Sequence, residues 1–483
     1  MTAGNSILDN NISVFLILFL VATMTLTYHF SSQYVDAFSH CDEPPGPFVN
    51  LSGCDLTDKN FVNIDFSNAE LRGVNLKDVN LANVNFKGAD LSNADLTGAV
   101  LSNANLKGAN LANAILTNAQ LSNADFSNAD LTKADLSGAV LSVATFSNAI
   151  IVKADLSFAD LTGSTLKGAD LTGADLSNSV LVAVDFTNSK LEETNFREAN
   201  MAGAIFTGVN LAGADLTGVD ISGAELTGVD LENITIRNAN LKGAIFKLAK
   251  MSGSTFEDVS LANADLSGAD LSGADFTGVN MQNAILKGAD LSNANFEGVK
   301  LTGADLSNAN LSEVNFSNAN LRGADLSGAD MSRAFLKNID LSRSNLQGIN
   351  LSGIDITGAD LSNADMADAT LSGANLSGTN LSGIILTNAI VRDVDFSNAD
   401  LSNADMSGAD LSGSSFVGVS MENSILRGAN LEGADLRNVD LTTVDFETDD
   451  LKGANTDGTK LPERGFFFFR ELIAFFQSLF GWL

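Results

Sequence analysis

The chain has 483 residues, with 59 Asp and Glu against 27 Lys and Arg, and a formal net charge of −32. That balance argues against direct nucleic-acid binding, which needs basic surface. The two histidines, His29 and His40, stand without a cluster of ligands around them, so no metal site is expected.

After a tail at 1–11, residues Ile12 to Tyr28 read ISVFLILFLVATMTLTY, a run without charge at the short end of what spans a bilayer. A single-pass membrane helix over 12–30 is the first expectation, with the membrane as a partner through this segment. A cleaved signal peptide is the alternative; Val35 and Ala37 supply a small-residue pattern, but a basic n-region is missing. A soluble cap is the third. No Lys or Arg precedes Lys59, so orientation rests on Asp36, Asp42 and Glu43, which weakly favour a repeat domain outside the cytoplasm, in a periplasm or thylakoid lumen. The linker at 31–48 contains the stiff Pro44-Pro45-Gly46-Pro47.

From Leu51 to Leu451 every fifth residue is apolar and the register never slips. At about 100° per residue, fifth positions walk around a helix and build no apolar face, so a helix is excluded. A strand alternation is excluded too. The two flanking rows are nearly as strict: a small residue, usually Ala, stands two before the central residue, and Asp or Asn one before it, as in Ala89-Asp90-Leu91. Gly or Asn recurs two after, as at Gly73 and Asn93, where a type II turn needs positive φ. The central Phe residues sort by position within a twenty-residue coil. One class holds Phe66, Phe86, Phe126, Phe146, Phe186, Phe206, Phe246 and Phe446; another, two faces away, holds Phe196, Phe256, Phe276, Phe296, Phe316, Phe396 and Phe416. Rings stacked one coil apart explain the confinement, and Phe61 alone departs from it. Cys54 falls in the inward small row. A packed thiol is its default reading, and a disulfide to Cys41 across the N-terminal cap is the alternative in an oxidising compartment.

These units, A-[DN]-[LF]-[STK]-[GN], resemble the pentapeptide-repeat family over roughly four-fifths of the chain. The resemblance implies an all-β solenoid, a right-handed quadrilateral β-helix over 49–461. At strand spacing, about 20 coils give a rod roughly 95 to 100 Å long. It also implies the two function classes in view. Exported and membrane-associated members, abundant in cyanobacteria, mostly lack an assigned role and suggest a membrane-tethered scaffold, spacer or protein-interaction rod with an unknown protein partner. Other members are acidic dimeric rods that bind DNA gyrase, the alternative being a DNA mimic. This chain departs from those in its apolar N-terminal segment, its length and its lack of a projecting loop.

Neither an enzyme nor a cofactor is expected, because the array holds no His and no phosphate loop or dinucleotide fingerprint. The acidity reads first as solubility, with DNA mimicry and loose cation binding as alternatives. A second-order pattern marks a candidate interaction surface. Val100, Val140 and Val180 replace Asp or Asn at intervals of forty on one face, and Ile205, Ile245 and Ile285 do so on the next, joined by Ile385 and Ile425. Duplication of a two-coil unit accounts for the spacing; a sparse apolar strip, with outward Phe158, Phe335 and Val417, is the functional alternative. The closing segment, 462–483, is expected to be an amphipathic helix with Phe469, Leu472, Ile473, Phe476, Leu479, Phe480 and Leu483 on one face. It serves as a cap, as the seam of a homodimer, or as a membrane contact.

Overall fold

The computed structural model describes residues 40–462. Its chain closes a four-sided coil every twenty residues. Parallel backbone pairings join most Asp/Asn-row residues to the one twenty further on, from Asn50↔Glu70 to Asp440↔Lys460. The central row and the small row two before it point inward and form one continuous core from Val49 to Phe446.

The pentad sequence follows from the need to satisfy each backbone N–H. Within residues 90–94, Asp90 donates to Ala69 O of the preceding coil, and Leu91 and Asn93 donate to Asn110 O and Ala112 O of the next. Ala94 donates to Leu91 O, closing the corner turn. One group remains, the N–H of Ser92, and the carboxylate of Asp90 accepts it at 3.1 Å. The same side-chain bond recurs along the rod, as in Ser67 to Asp65 at 2.9 Å and Lys107 to Asn105 at 3.2 Å. Asp and Asn are therefore structural at this position, since a buried or half-buried N–H left without a partner is costly. Asn adds a second bond, donating to the residue one coil before it, as Asn85 does to Asp65 at 2.7 Å and Asn315 to Asn295 at 3.0 Å. The third turn position has positive φ nearly throughout, Asp58 and Thr443 being exceptions, which is why Gly73 and Asn93, at 60° and 59°, are the usual residue types there.

Phe rings stack one coil apart in both expected columns. Phe126 and Phe146 lie 4.6 Å apart and nearly parallel, and Phe256 and Phe276 lie 4.5 Å apart. Buried hydroxyls in the small row are paired: Ser164 donates to Leu141 O at 2.7 Å and Ser254 to Leu231 O at 2.6 Å. The corners after Ile236 and Phe256 open into two short strands, Thr235–Arg237 (β1) and Thr255–Glu257 (β2), which pair in parallel and in register. At the N-terminal end, a short helical turn at His40–Asp42 brings Cys41 over the first coil, where it is disulfide-bonded to Cys54. At the other end, a turn at Thr448–Leu451 lies beside the last coils, with Asp450 accepting from the N–H of Gly428 at 3.1 Å.

The expectation of a single-pass membrane protein is corrected. Among the described residues no helix is long and apolar enough to cross a membrane. The repeats turn their large apolar residues inward and close the outside with Asp, Asn, Ser and Thr. The segment that carried the expectation, 12–30, lies outside the described residues, as does the closing amphipathic segment with Phe469, Leu472, Ile473, Phe476, Leu479, Phe480 and Leu483.

Candidate functional site

Two departures from the pentad chemistry each have a stability cost, and both gather around Val140 and Val180; they also coincide once in the pentad of Ile245 and Leu248, where Leu248 has φ of 56°. The first is loss of the side-chain acceptor. Val140 and Val180 stand in the Asp/Asn row, paired with Asp160 between them, and neither offers an oxygen to the N–H of Ser142 or Val182. A missing cap of this kind costs about 1 kcal/mol. The second is backbone strain. Val143 and Phe158 occupy the left-handed turn position with φ of 61° and 59°. Gly and Asn adopt that conformation readily, whereas a β-branched or bulky side chain does so at a cost of about 1–2 kcal/mol.

Val143 and Phe158 flank the face that carries Val140, Asp160 and Val180, one at each corner. They are 60% and 66% exposed. Val143 leans along the rod toward Gly163, with its Cγ2 3.9 Å from where a Cβ on that glycine would stand. Gly163 donates in turn to the carbonyl of Val182 at 2.9 Å, which places a further half-buried valine beside the same corner. Asp160, in the middle, is fully engaged within the chain. It accepts from Thr162 N at 2.9 Å, from the Thr162 hydroxyl at 2.6 Å and from the Ser142 hydroxyl at 3.1 Å. Partial burial raises its pKa, but those hydrogen bonds outweigh it and hold the carboxyl below the usual Asp value. A carboxylate already supplied with three donors loses less on being covered by a partner than a free one does.

Beyond Phe158, on the adjoining face, Asp135, Asp155 and Asp175 stack directly with no Asn between them. Like charges facing each other across adjacent strands are destabilising. Replacing Asp155 by Asn keeps the acceptor for Ser157 N, now at 2.9 Å, and adds a donor toward Asp135. We expect Asp155→Asn to stabilise the rod by about 1 kcal/mol, read as a higher urea midpoint; an unchanged or lower midpoint contradicts the assignment of this row.

The remaining sequence-predicted residues are dispersed. Val100 lies on the same face as Val140, two coils before it, and is half-buried. Ile205, Ile245 and Ile285 lie on the neighbouring face, alternating in the ladder with Glu225 and Asp265; Ile385 and Ile425 lie further along it. Phe335 is 62% exposed on a third face, and Val417 is an exposed corner residue. The structure does not bring these together with the Val140–Val180 cluster. The sequence reading missed Val143 and Leu248, and also Ile115, Ile150 and Ile390, all exposed. The signal for Val143 and Leu248 was an apolar residue in the Gly/Asn row. Ile115, Ile150 and Ile390 were passed over because a forty-residue interval was demanded. Among the described residues, one group of ligand-type side chains lies close enough to hold a metal: His40, Cys41 and Cys54.

A family model described as "Pentapeptide repeats (8 copies)" matches the chain in overlapping stretches from residue 48 to residue 442. No curated protein matches. Among solved structures, HetL, a pentapeptide repeat protein involved in heterocyst differentiation regulation from the cyanobacterium Nostoc sp. strain PCC 7120, is 33% identical. The match covers 51% of this chain and 88% of that one, with a TM-score of 0.19. A pentapeptide repeat protein of the Arabidopsis thaliana thylakoid lumen is 33% identical over 24% of this chain and 71% of its own, with a TM-score of 0.11. Full-length QnrB1, a plasmid-mediated fluoroquinolone resistance protein, is 19% identical over 53% of this chain and 96% of its own, with a TM-score of 0.17. At such TM-scores these likenesses carry no argument about function. The repeat match, which spans most of the sequence, does decide the family, whose members form right-handed four-sided β-helices: the chain belongs to the pentapeptide repeat family.

Proposed function

We propose that the protein is a non-enzymatic interaction rod whose docking surface is the face bearing Val140, Val143, Phe158 and Val180. The observation that carries this reading is that exposed Val143, Phe158 and Val180, with half-buried Val140, stand at positions where the fold favours Asn, Asp or Gly, so each lowers stability without contributing to the core. Scattered surface hydrophobes are ordinary; a cluster that costs two turn caps and two left-handed residues is not. The stacked Asp135, Asp155 and Asp175 beside it favour a partner with an apolar contact and a basic margin.

The test separates docking from drift. Val140→Asn, Val143→Asn, Phe158→Asn and Val180→Asn together restore the caps and relieve the strain. The melting temperature is expected to rise while retention of associated protein on the immobilised rod falls. A rise in melting temperature with unchanged retention removes this surface from consideration.

A second reading rests on charge. An acidic rod of net charge −32 with stacked carboxylates suits the DNA-binding surface of gyrase or another DNA-binding protein. Inhibition of gyrase supercoiling by the purified chain supports it, and absence of inhibition at saturating rod removes it.

A further inference from the structure

We infer that reduction of the Cys41–Cys54 bond converts the N-terminal cap into a zinc site made of two thiolates and one imidazole. The disulfide and the metal are then alternative occupants of the same position. The ligand-type atoms of His40, Cys41 and Cys54 all lie within 4.8 Å of one another. His40 Nε2 is 3.8 Å from Cys41 Sγ. Sulfur atoms bound tetrahedrally to one zinc, each at about 2.3 Å, stand about 3.8 Å apart. The cysteine Cα atoms are 5.5 Å apart, so side-chain rotation alone separates the thiolates to that spacing.

Part of the backbone that presents these groups is held independently of the disulfide. Phe48 N donates to Ser67 O at 3.0 Å and Val49 N to Gly46 O at 3.5 Å, which ties down the end of the proline-rich linker. Cys54 is fixed from the other side, as an inward residue of the first coil with the same burial as the Ala that usually stands in its row. When the bond is cut, Cys41 stays tethered near Cys54 by the short segment that leads to Phe48, and a bound metal closes the loop again. His40 Nε2 now lies 2.9 Å from Ser52 O, as the donor in that contact. Binding zinc through Nε2 requires the ring proton to move to Nδ1, with no net gain or loss of protons at the imidazole.

The conversion balances as follows. A dithiol reductant supplies two electrons and two protons, the S–S bond breaks, and the reductant leaves as its own disulfide. Zn²⁺ then displaces the two thiol protons and forms two Zn–S bonds and one Zn–N bond, giving a site without net charge when its fourth ligand is water. The fourth position faces the crevice lined by Cys41, Asp42 and Glu43 and is filled by water or by one of those carboxylates. Thiolate and imidazole ligands distinguish this site from the Asp rows, which offer oxygen only and suit harder cations.

The experiment uses the full chain and Co²⁺ as the spectroscopic probe for zinc. Phosphine-reduced protein is titrated anaerobically with Co²⁺, after removal of the reductant. A sulfur-to-cobalt charge-transfer band is expected to rise to saturation at one equivalent and to disappear on addition of Zn²⁺, and the oxidised chain is expected to show none. His40→Ala is expected to keep a thiolate band with affinity lowered about tenfold or more. Cys41→Ser, which leaves the inward row untouched, and Cys54→Ser should each remove the tight site. Reduced protein without a charge-transfer band, or a band that survives in Cys41→Ser, overturns the proposal. Weak binding by surface carboxylates gives no such band and is not mistaken for it.

Discussion

Replacing Phe276 by Ala is expected to destabilise the rod by about 3–5 kcal/mol, the range for removing a fully buried ring. Phe276 is the second of four rings, 4.5 Å from Phe256 and 4.9 Å from Phe296, which in turn lies 5.4 Å from Phe316. The ring is completely buried, and the coils are held at strand spacing by their backbone pairings, so the cavity cannot collapse. Phe276→Leu is expected to cost under about 1.5 kcal/mol, because Leu fills the same inward row in most other coils. The contrast between the two substitutions isolates the ring from the row. Because each coil touches only its neighbours, the loss is concentrated around residues 256–316. Hydrogen exchange resolved along the sequence reads it better than a single melting curve. Equal losses for Ala and Leu would mean that the stack contributes nothing beyond filling the row.

Removal of the Cys41–Cys54 crosslink has the next largest expected effect. The bond closes a loop with a sequence separation of 13 residues, and in the loop-entropy account a crosslink of that size contributes about 3 kcal/mol. In a solenoid that contribution acts on the coil it covers. Cys41→Ser is expected to raise amide exchange in the first coil, at Leu51, Cys54 and Leu56, by about two orders of magnitude, while residues beyond Phe126 keep their protection. Adding a reductant to the native chain is expected to reproduce this pattern, and adding it to Cys41→Ser to change nothing. Uniform deprotection along the whole rod would show instead that the coils unfold as one unit.

Much of the fold was legible because one rule is repeated without interruption. The five-residue register and the confinement of Phe to two columns specify a four-sided coil before any coordinate is known, and the ring stacks of Phe126 with Phe146 and Phe256 with Phe276 realise it. The Asp row was legible as a pattern but not as a cause. From sequence it reads as solubility; in the structure Asp90 is there because the N–H of Ser92 has no other acceptor. That conclusion needs an account of every N–H in the pentad, which only the pairing between coils supplies. The disulfide was one of two open readings for Cys54. The choice between them depends on the linker folding back over the first coil, and linker composition does not encode that.

The candidate site was legible in part. Val140, Val180 and Phe158 were visible as outward apolar residues. Their meeting with Val143 around Asp160 depends on which corner follows which face. Val143 escaped notice because its row tolerates several residue types, and its strain is a property of φ rather than of spacing. The membrane expectation rested on residues 12–30, and no helix in the described part of the chain replaces it as an apolar span.

The most direct test of an interaction face is positional. A photo-crosslinking side chain placed at Phe158 is compared with the same side chain at Asn318, which occupies the same corner eight coils along and shares its left-handed conformation, with φ of 60°. Irradiation is expected to trap a discrete partner at 158 and none at 318, and the adduct is expected to vanish when Val140, Val143 and Val180 are changed to Asn. Identical adducts at the two positions, or an adduct at 158 indifferent to those three substitutions, would contradict the assignment of this face.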